Sequence, residues 1–426
     1  MNGRGGTPGR RSVWSWVVYD LANTIFALGV IGLYFPDWLT SVGQPDSALA
    51  VVEAAAGVVV IFLAPWAGAR SDVRGTRIPT LVVTTIVCVA ATALLATGSE
   101  LATLALLGVA LIAFNVGAVV YDALLVDVST PANRGRISGL GVGVGYIGSF
   151  IGLGIGFVTL DVLGWSYGAT FKVLAIGFLL LALPAFFFIE ERPGHDDAPL
   201  PRLGDVMSRL LASWRLASTY DGVVRFLVGR FLYTDAINTL IGGFLTIFVI
   251  QELGLDRQFM MTLLGVAIAF ASLGAFGAGW LVERLGPLRV LRSVLVLWMV
   301  AIGAGIAAAV TGETGLAWAI GPLGGMALGA TWAADRVVMT RVSPPRHLGE
   351  MYGLYATVGR FATILGPLTW ALIVDVVGLG RRVAMASLIG FIAAGWWILR
   401  QVDDKERVWA PADLPVVSNA PDAPQT

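Results

Sequence analysis

The sequence predicts an all-α membrane protein with twelve transmembrane helices in two pseudo-symmetric six-helix bundles. Three observations lead to this fold class. The 426-residue chain is 57% hydrophobic and 13% charged, whereas soluble domains carry about 25% charged residues. Its mean hydropathy of +0.80 excludes a soluble globule and a disordered chain. Twelve apolar runs are long enough to cross a bilayer, and the polar landmarks of the first six recur in the last six.

Each apolar run holds the roughly 20 residues that a spanning helix needs, because backbone polar groups find no water partners inside a bilayer. Short joints with Gly or Pro separate the runs, as at 43–45 and 129–131, and one longer polar stretch separates the sixth run from the seventh. The predicted spans are approximately 13–36, 47–69, 78–97, 101–127, 137–160, 169–189, 223–250, 259–282, 288–310, 316–340, 351–376 and 382–400.

This spacing divides the chain into four regions. Residues 1–189 form an N-terminal six-helix bundle, 190–222 a cytoplasmic linker, 223–400 a C-terminal six-helix bundle and 401–426 a cytoplasmic tail that we expect to be disordered. Arginine and lysine collect in alternate loops, which marks those loops as cytoplasmic. An even number of spans then predicts two cytoplasmic termini. The Arg-, Ala- and Gly-rich composition indicates a prokaryotic inner (plasma) membrane.

Composition and motifs also exclude several kinds of function. The formal net charge is zero, so the chain has no basic field for nucleic acid. His195 and His347 lie in polar segments and Cys88 is the only cysteine, so no metal site is predicted and the spans hold no nucleophile–base pair for an enzyme. The glycine runs lie inside spans without a following Lys-Ser/Thr, so they are not phosphate loops and no cofactor is expected.

The two halves of the chain repeat the same polar landmarks in the same order. Two parallel six-span halves related in this way are the arrangement of major facilitator transporters. The clearest pairs are Gly68, Asp72 and Gly75 with Gly279, Glu283 and Gly286, 211 residues later, and Asp20, Asn23 and Thr24 with Asp235, Asn238 and Thr239, 215 residues later.

Several blocks resemble a known family. GARSDVRGTR, from Gly68 to Arg77, is similar to the loop motif of the major facilitator superfamily, Gly-x-x-x-Asp-x-x-Gly-x-Arg. WSWVVYDLANTIFA, GRFLYTDAINT and the segments 121–148 and 352–367 resemble the branch typified by vacuolar amino-acid effluxers linked to autophagy. Two departures stand out: the fourth span has no arginine and the fifth has no proline, although many proton-coupled or antiporting members of the superfamily have them.

The resemblance implies that spans one, four, seven and ten line a central cavity, and each carries an aspartate. An aspartate at mid-helix costs on the order of 2.5–3.5 kcal/mol when it faces lipid, so these side chains are expected to face water or a partner. Helical spacing puts an amide or hydroxyl on the same face as each acid. The predicted cavity residues are Asp20, Asn23, Thr24, Asn115, Asp122, Asp235, Asn238, Thr239, Asp335, Arg230, Arg336 and Arg360.

Two interpretations of these charges remain open at this stage. Acids and arginines in one cavity suit a zwitterion, because carboxylates meet its ammonium and a guanidinium meets its carboxylate. The same charges can instead pair with one another and hold the bundle or form a cytoplasmic gate. Glu53 is interpreted as a residue near the start of its span that reaches the interface, with a proton site as the alternative.

The loop motifs are expected to control opening. By resemblance, the acids Asp72 and Glu283 contact helix ends of the other half and lock the outward-facing state. The predicted gating residues are Gly68, Asp72, Gly75, Arg77, Gly279, Glu283 and Gly286.

We therefore expect a secondary transporter in the lipid bilayer that moves a small polar solute by alternating access. The resemblance implies amino-acid efflux, with protons as a candidate coupling ion. The alternatives are a drug or lipid exporter on the same fold and a non-transporting membrane receptor or sensor.

Overall fold

The computed structural model of the chain describes residues 9–74, 76–130, 133–191 and 202–403; for 72–74, 134–136, 142 and 349 it describes the backbone only. The predicted tail beyond residue 403 and most of the linker sequence before residue 202 lie outside this part. Ten helices in the described part are long and apolar enough to cross a membrane. A shorter apolar helix, Ile78–Ala93, and the helix at 314–342 bring the described crossing helices to the predicted twelve.

The twelve helices follow the predicted spans closely. In chain order they are α1 Arg10–Ser41, α2 Asp46–Arg74, α3 Ile78–Ala93, α4 Glu100–Leu124, α5 134–162, α6 Tyr167–Phe188, α7 Val223–Glu252, α8 Arg257–Leu285, α9 Pro287–Thr311, α10 314–342, α11 348–376 and α12 Arg381–Leu399. An additional linker helix, Leu203–Ser218, lies between α6 and α7.

Local sequence explains where several helices begin. Ser99, Ser166 and Asp256 each accept a hydrogen bond from the backbone three residues on, which caps α4, α6 and α8. Gly286 has a positive φ of 87° and is followed by Pro287, so α8 ends and α9 starts within one residue.

The helices pass alternately between two faces of the bundle. We call the face that holds the start of α1, the end of α12 and the linker helix the terminal face, and the other the opposite face. Towards the opposite face, α1, α5, α7 and α11 change from α-helical to π-helical turns. Because α1 corresponds to α7 and α5 to α11, the wider turns repeat the pseudo-symmetry read from the sequence.

The linker helix is a feature that the sequence analysis missed. Its amphipathic residues pack on α2 of the first half and on α7 and α11 of the second. Val206 and Ala217 are buried in these contacts, and Ser213 donates a 2.6 Å hydrogen bond to Glu350. The helical periodicity of its apolar residues was the available signal.

Glycines bring α8 and α10 into backbone contact. Gly325 and Gly329 of α10 face the carbonyls of Ala267 and Ala271 of α8, so closely that an added Cβ atom would overlap them. Small residues of this kind let membrane helices approach closely.

Gly329→Ala is therefore expected to lower the free energy of unfolding by about 1–3 kcal/mol, the usual cost of overpacking. The matched control is Gly303→Ala in α9, where an added Cβ meets nothing within 4 Å and helix propensity favours Ala. Thermal unfolding in detergent measures both variants. Equal melting temperatures for the two variants would contradict the close packing of α8 and α10.

Candidate functional site

A cavity of about 400 Å³ lies between the two halves, at the centre of the bundle. Eight helices line it: α1, α2, α4 and α5 from the first half and α7, α8, α10 and α11 from the second. Its polar lining residues are Thr24, Glu53, Asn115, Ser149, Asn238, Thr239, Arg360 and Thr363. Most of the remaining lining is aliphatic or aromatic, so the cavity combines a few polar groups with an apolar wall, as small-molecule sites do.

Five of the predicted residues line this cavity: Thr24, Asn115, Asn238, Thr239 and Arg360. The side chains of the first four also donate hydrogen bonds to backbone carbonyls. Thr24 donates a 2.5 Å hydrogen bond to the carbonyl of Gly145, and Asn238 donates one of 2.6 Å to the carbonyl of Ala362. The polar residues of α1 and α7 thus attach each helix to its partner, α5 or α11, while the same residues face the cavity.

Two predicted acids and two cations lie on the terminal side of the cavity. Asp122 forms a 2.5 Å ion pair with Arg360, which joins α4 of the first half to α11 of the second, and its side chain is 65% exposed. Asp20 and Asn23 are half-buried, with Asp20 packed against Gly145, and Arg336 is exposed. These predicted residues therefore lie together at the terminal end of the cavity.

Asp335 and Arg230 lie elsewhere, in a buried cluster with Tyr355. Arg230 Nε is 3.2 Å from Asp335 Oδ2, and Tyr355 donates a 2.7 Å hydrogen bond to the other carboxylate oxygen. The guanidinium carbon lies 3.7 Å from the centre of the Tyr355 ring. Neither charged residue is among the residues that line the central cavity. The cluster joins α7, α10 and α11 within the second half, which corresponds to the paired interpretation of these charges.

Asp235 is fully buried and supports a break in α11. The α-helical turns of α11 stop at Phe361 and resume at Leu365. Asp235 Oδ2 accepts a 2.5 Å hydrogen bond from the backbone N–H of Gly366, at the start of the second segment. Its other oxygen is buried without a partner in the described part of the chain. Asp235 therefore lies behind the cavity wall formed by Asn238 and Thr239, and away from lipid.

Glu53 differs most from its sequence interpretation. It lies two turns into α2 and lines the central cavity, so it does not reach for the interface. Its carboxylate packs against the backbone of Gly242 in α7. The sequence signal was present, since a span that starts at Asp46 puts Glu53 about 10 Å deep at 1.5 Å per residue.

The opposite face is closed by two ion-pair clusters, which we call clamps. In the first clamp, Arg257 of α8 binds Asp37 of α1 at 3.0 Å and Asp161 of α5 at 2.5 Å. In the second, Arg381 of α12 binds Asp46 of α2 through two hydrogen bonds of 2.8 and 2.9 Å. Each clamp therefore joins the two halves.

The clamps also follow the pseudo-symmetry. Arg257 of the first clamp begins α8, and Asp46 of the second clamp begins α2. The helices α2 and α8 occupy corresponding positions in the two halves. Tyr167 donates a 2.7 Å hydrogen bond to Asp37, and Trp370 donates one of 2.8 Å to Asp46. The pairing of Arg257 and Arg381 across the halves was not predicted from the sequence, because the partners are distant in the chain.

The predicted gating motif is described in part. Gly75 and the side chain of Asp72 lie outside the described residues. Arg77 forms a 2.7 Å ion pair with Asp127 of the first half, and the backbone N–H groups of Arg77 and Ile78 donate to Glu191 at the start of the linker. Burial raises the pKa of the Glu191 carboxyl, while these backbone hydrogen bonds oppose the rise.

In the second half the corresponding motif is free of close contacts. Glu283 is exposed and, in the part of the chain described, has no hydrogen bond or ion pair, and Gly279 has open space around it. Gly286 ends α8 as noted above, and Gly68 packs against Val119 of α4. This motif lies at the terminal face, where the exposed charged residues Asp122 and Arg336 are also found.

An apolar pocket of about 90 Å³ adjoins the central cavity. The two share the lining residues Leu28, Tyr146, Ile241, Ile268 and Leu328. The rest of the pocket is formed by apolar residues of α7 to α10 and α12, such as Trp298 and Ile302. A solute in the central cavity thus has polar groups on one side and an apolar recess on the other.

Comparison with known proteins agrees with this architecture. The family model for the Major Facilitator Superfamily matches residues 21–367 and 228–417. An uncharacterized MFS-type transporter of Bacillus subtilis, YxiO, is 27% identical over 404 residues, which cover 89% of this chain and 92% of that protein. Autophagy-related protein 22 of Gibberella zeae is 26% identical over 292 residues, which cover 62% of this chain and 44% of that protein.

Solved structures show the same fold at low sequence identity. The nucleoside transporter NupG superposes with a TM-score of 0.70 at 12% identity and covers 92% of this chain and 98% of its own. A bacterial homolog of the human lysosomal transporter Spinster, in an inward-facing and unoccupied conformation, has a TM-score of 0.68 at 16% identity. It covers 94% of this chain and 98% of its own.

Proposed function

Because the chain belongs to the major facilitator superfamily of membrane transporters, we propose that it moves a small polar solute of the amino-acid class by alternating access. The observation that carries the proposal is the central cavity between the halves. It is closed at the opposite face by the clamps, and exposed charges lie on its terminal side. A cavity of this size suits a small molecule.

The residues around the cavity favour a zwitterion that has an apolar part. Glu53 supplies a carboxylate for an ammonium. Arg360, which also pairs with Asp122, supplies further guanidinium N–H donors for a carboxylate, and the amides of Asn115 and Asn238 supply further polar contacts. The apolar pocket beside the cavity accommodates a side chain. A drug or lipid exporter needs no such polar groups at its centre, so this alternative is less well supported.

We take the terminal face as cytoplasmic, since the arginine-rich loops lie there. The structure then corresponds to an inward-facing state. Opening to the outside requires the two clamps to separate while the terminal ends of the halves approach each other. The resemblance to amino-acid effluxers gives export as the direction, across the inner membrane of a prokaryote.

Counterflow in proteoliposomes tests the proposal. Vesicles are loaded with one unlabelled amino acid at a time, and uptake of the labelled form is measured with and without a pH gradient. We expect transient accumulation of label for at least one amino acid with an apolar side chain. If no amino acid gives counterflow, the solute class is wrong; in that case the receptor or exporter alternatives gain support.

Two variants examine the repeated acids in the same assay. Asp20→Asn is expected to reduce counterflow about tenfold, because Asp20 lies half-buried on the terminal side of the cavity. Asp235→Asn is expected to reduce counterflow similarly, since the amide weakens the support for the break in α11. Asp221→Asn, which changes an exposed carboxylate, is the matched control. Wild-type rates and pH dependence in both variants would show that these acids have no part in transport.

A further inference from the structure

Glu53 is a carboxylate inside the membrane-spanning bundle, two turns into α2. It lines the central cavity, and no other described residue forms a hydrogen bond or an ion pair with its side chain. Three other acids of the bundle are bonded: Asp122 to Arg360, Asp335 to Arg230 and Tyr355, and Asp235 to the backbone of Gly366. Asp20 is half-buried on the terminal side and is not among the described residues that line the cavity. Glu53 is thus the carboxylate available to something that enters the cavity.

The wall behind Glu53 is shaped around its carboxylate. A Cβ atom added to Gly242 would lie 2.9 Å from one carboxylate oxygen and 3.4 Å from the other, so a side chain at this position would displace the Glu53 carboxylate. The next residue, Gly243, has a φ of 115°, and the backbone from Leu240 to Phe244 is π-helical. The acid of α2 in the first half therefore packs against the irregular part of α7 in the second half.

The charged and titratable groups around Glu53 leave its charge uncompensated. In the described lining of the cavity, Arg360 is the only cation, and it is already paired with Asp122. Asp235 lies on α7, on which Glu53 packs, and adds a further negative charge, and Tyr146 of α5 is a neutral phenol. A lone carboxylate at this depth is costly, so a proton or a cationic group must accompany it.

We propose that Glu53 binds a proton and the ammonium group of the solute in turn, which makes the transporter a solute/proton exchanger; this rests on the proposed amino-acid solute. When the ammonium enters, it displaces the proton from the carboxyl, and one proton is released for each solute bound. When the solute leaves, the carboxylate takes up one proton again. The Glu53 carboxylate is thus accompanied by a positive group in both states. Because the zwitterion is neutral overall, each exchange moves one positive charge inward, and inward movement of the proton drives outward movement of the solute.

An assignment of proton coupling to Glu53 is compatible with two departures of this sequence from its family. The arginine of the fourth span and the proline of the fifth span, which many proton-coupled or antiporting members have, are missing here. Glu53 lies in the second span. An exchange at Glu53 needs neither of those elements.

The first test uses the wild-type protein with L-leucine as the probe, because the apolar pocket suits its side chain. Addition of L-leucine to the purified protein in weakly buffered detergent solution is expected to release about one proton per protein, measured with a pH indicator dye. In proteoliposomes, an acidic lumen is expected to drive L-leucine uptake. An analogue without the ammonium, 4-methylpentanoate, is expected to release no proton and not to compete.

The second test compares Glu53→Gln with Glu313→Gln, which changes an exposed acid in the loop after α9. In the wild type and in Glu313→Gln, the L-leucine concentration that gives half-maximal counterflow is expected to fall as pH rises. In Glu53→Gln, this concentration is expected to be about tenfold higher and independent of pH, and uptake driven by the pH gradient is expected to be lost. Glu53→Asp restores gradient-driven uptake in part.

The outcomes separate the inference from the proposed function. Counterflow of L-leucine by the wild type without proton release, or gradient-driven uptake by Glu53→Gln, overturns the assignment of Glu53 and leaves the transporter proposal intact. If the wild type shows no counterflow with any amino acid, the proposed function fails and the exchange at Glu53 fails with it. The proton-release measurement decides the question even if Glu53→Gln does not fold.

Discussion

Asp335→Ala is expected to lower the free energy of unfolding by about 3–5 kcal/mol, the cost of leaving one partner of a buried ion pair uncompensated. Arg230 is 4% exposed, and its guanidinium lies between the carboxylate of Asp335 and the ring of Tyr355. With Asp335 removed, a buried cation remains without a counter-charge. Thermal unfolding in detergent, followed by tryptophan fluorescence, measures the loss.

Two further variants make this prediction specific. The double variant Arg230→Met/Asp335→Leu removes both charges and is expected to recover most of the stability, since apolar replacements of buried pairs are often tolerated. Asp221→Ala breaks an exposed pair with Arg225, whose side chain is 51% exposed, and is expected to change stability by less than about 0.5 kcal/mol. If Asp335→Ala unfolds at the same temperature as Asp221→Ala, the pair does not hold the second half together.

Arg381→Met is expected to open the opposite face of the molecule. Asp46 is 2% exposed and depends on Arg381 and Trp370 for its hydrogen bonds. Without the guanidinium, the second clamp leaves a buried acid unpaired, so states in which the halves separate at this face become more populated. Arg257→Met is expected to act on the first clamp in the same way.

Cysteine accessibility measures this opening, and the chain is suited to it. Cys88 is the only cysteine and is fully buried, so Cys88→Ser gives an unreactive background. In that background Ile31→Cys places one thiol on the cavity wall. A membrane-impermeant thiol reagent added at the opposite face is expected to label it at least tenfold faster in Arg381→Met than in the parent.

The matched control for the clamps is Arg382→Met. Arg382 pairs with Glu252 at 2.5 Å, but both residues belong to the second half, so this pair does not join the halves. Labelling at the opposite face is expected to stay at the parent rate. Equal labelling of Arg381→Met and Arg382→Met would mean that the clamps do not hold this face closed.

The sequence alone predicted the helices and part of the cavity. Spans could be found because backbone groups must be satisfied within each helix, which makes hydropathy a local signal. Helical spacing also identified Thr24, Asn115, Asn238 and Thr239, because the resemblance indicated which helices meet at the centre. The depth of Arg360 along its span identified that residue. All five line the cavity.

The remaining features depend on contacts between distant parts of the chain. Sequence periodicity shows which residues share one face of a helix. It does not show which helix packs against that face or where the helical backbone is interrupted. Asp235 therefore looked equivalent to Asp20, although it supports a break that α5 lacks. Glu53 was misjudged because it belongs to a helix outside the four expected to line the cavity, and the clamps join residues up to 335 positions apart.

The linker helix has a mechanical consequence for which solutes can pass. It packs on α2 of one half and on α7 and α11 of the other, so it bridges the two halves at the cavity entrance on the terminal face. A helix in contact with both halves restricts how far they can separate at this entrance, whatever occupies the cavity. The size of the largest solute that can enter is then limited by the width of this entrance as well as by the volume of the central cavity.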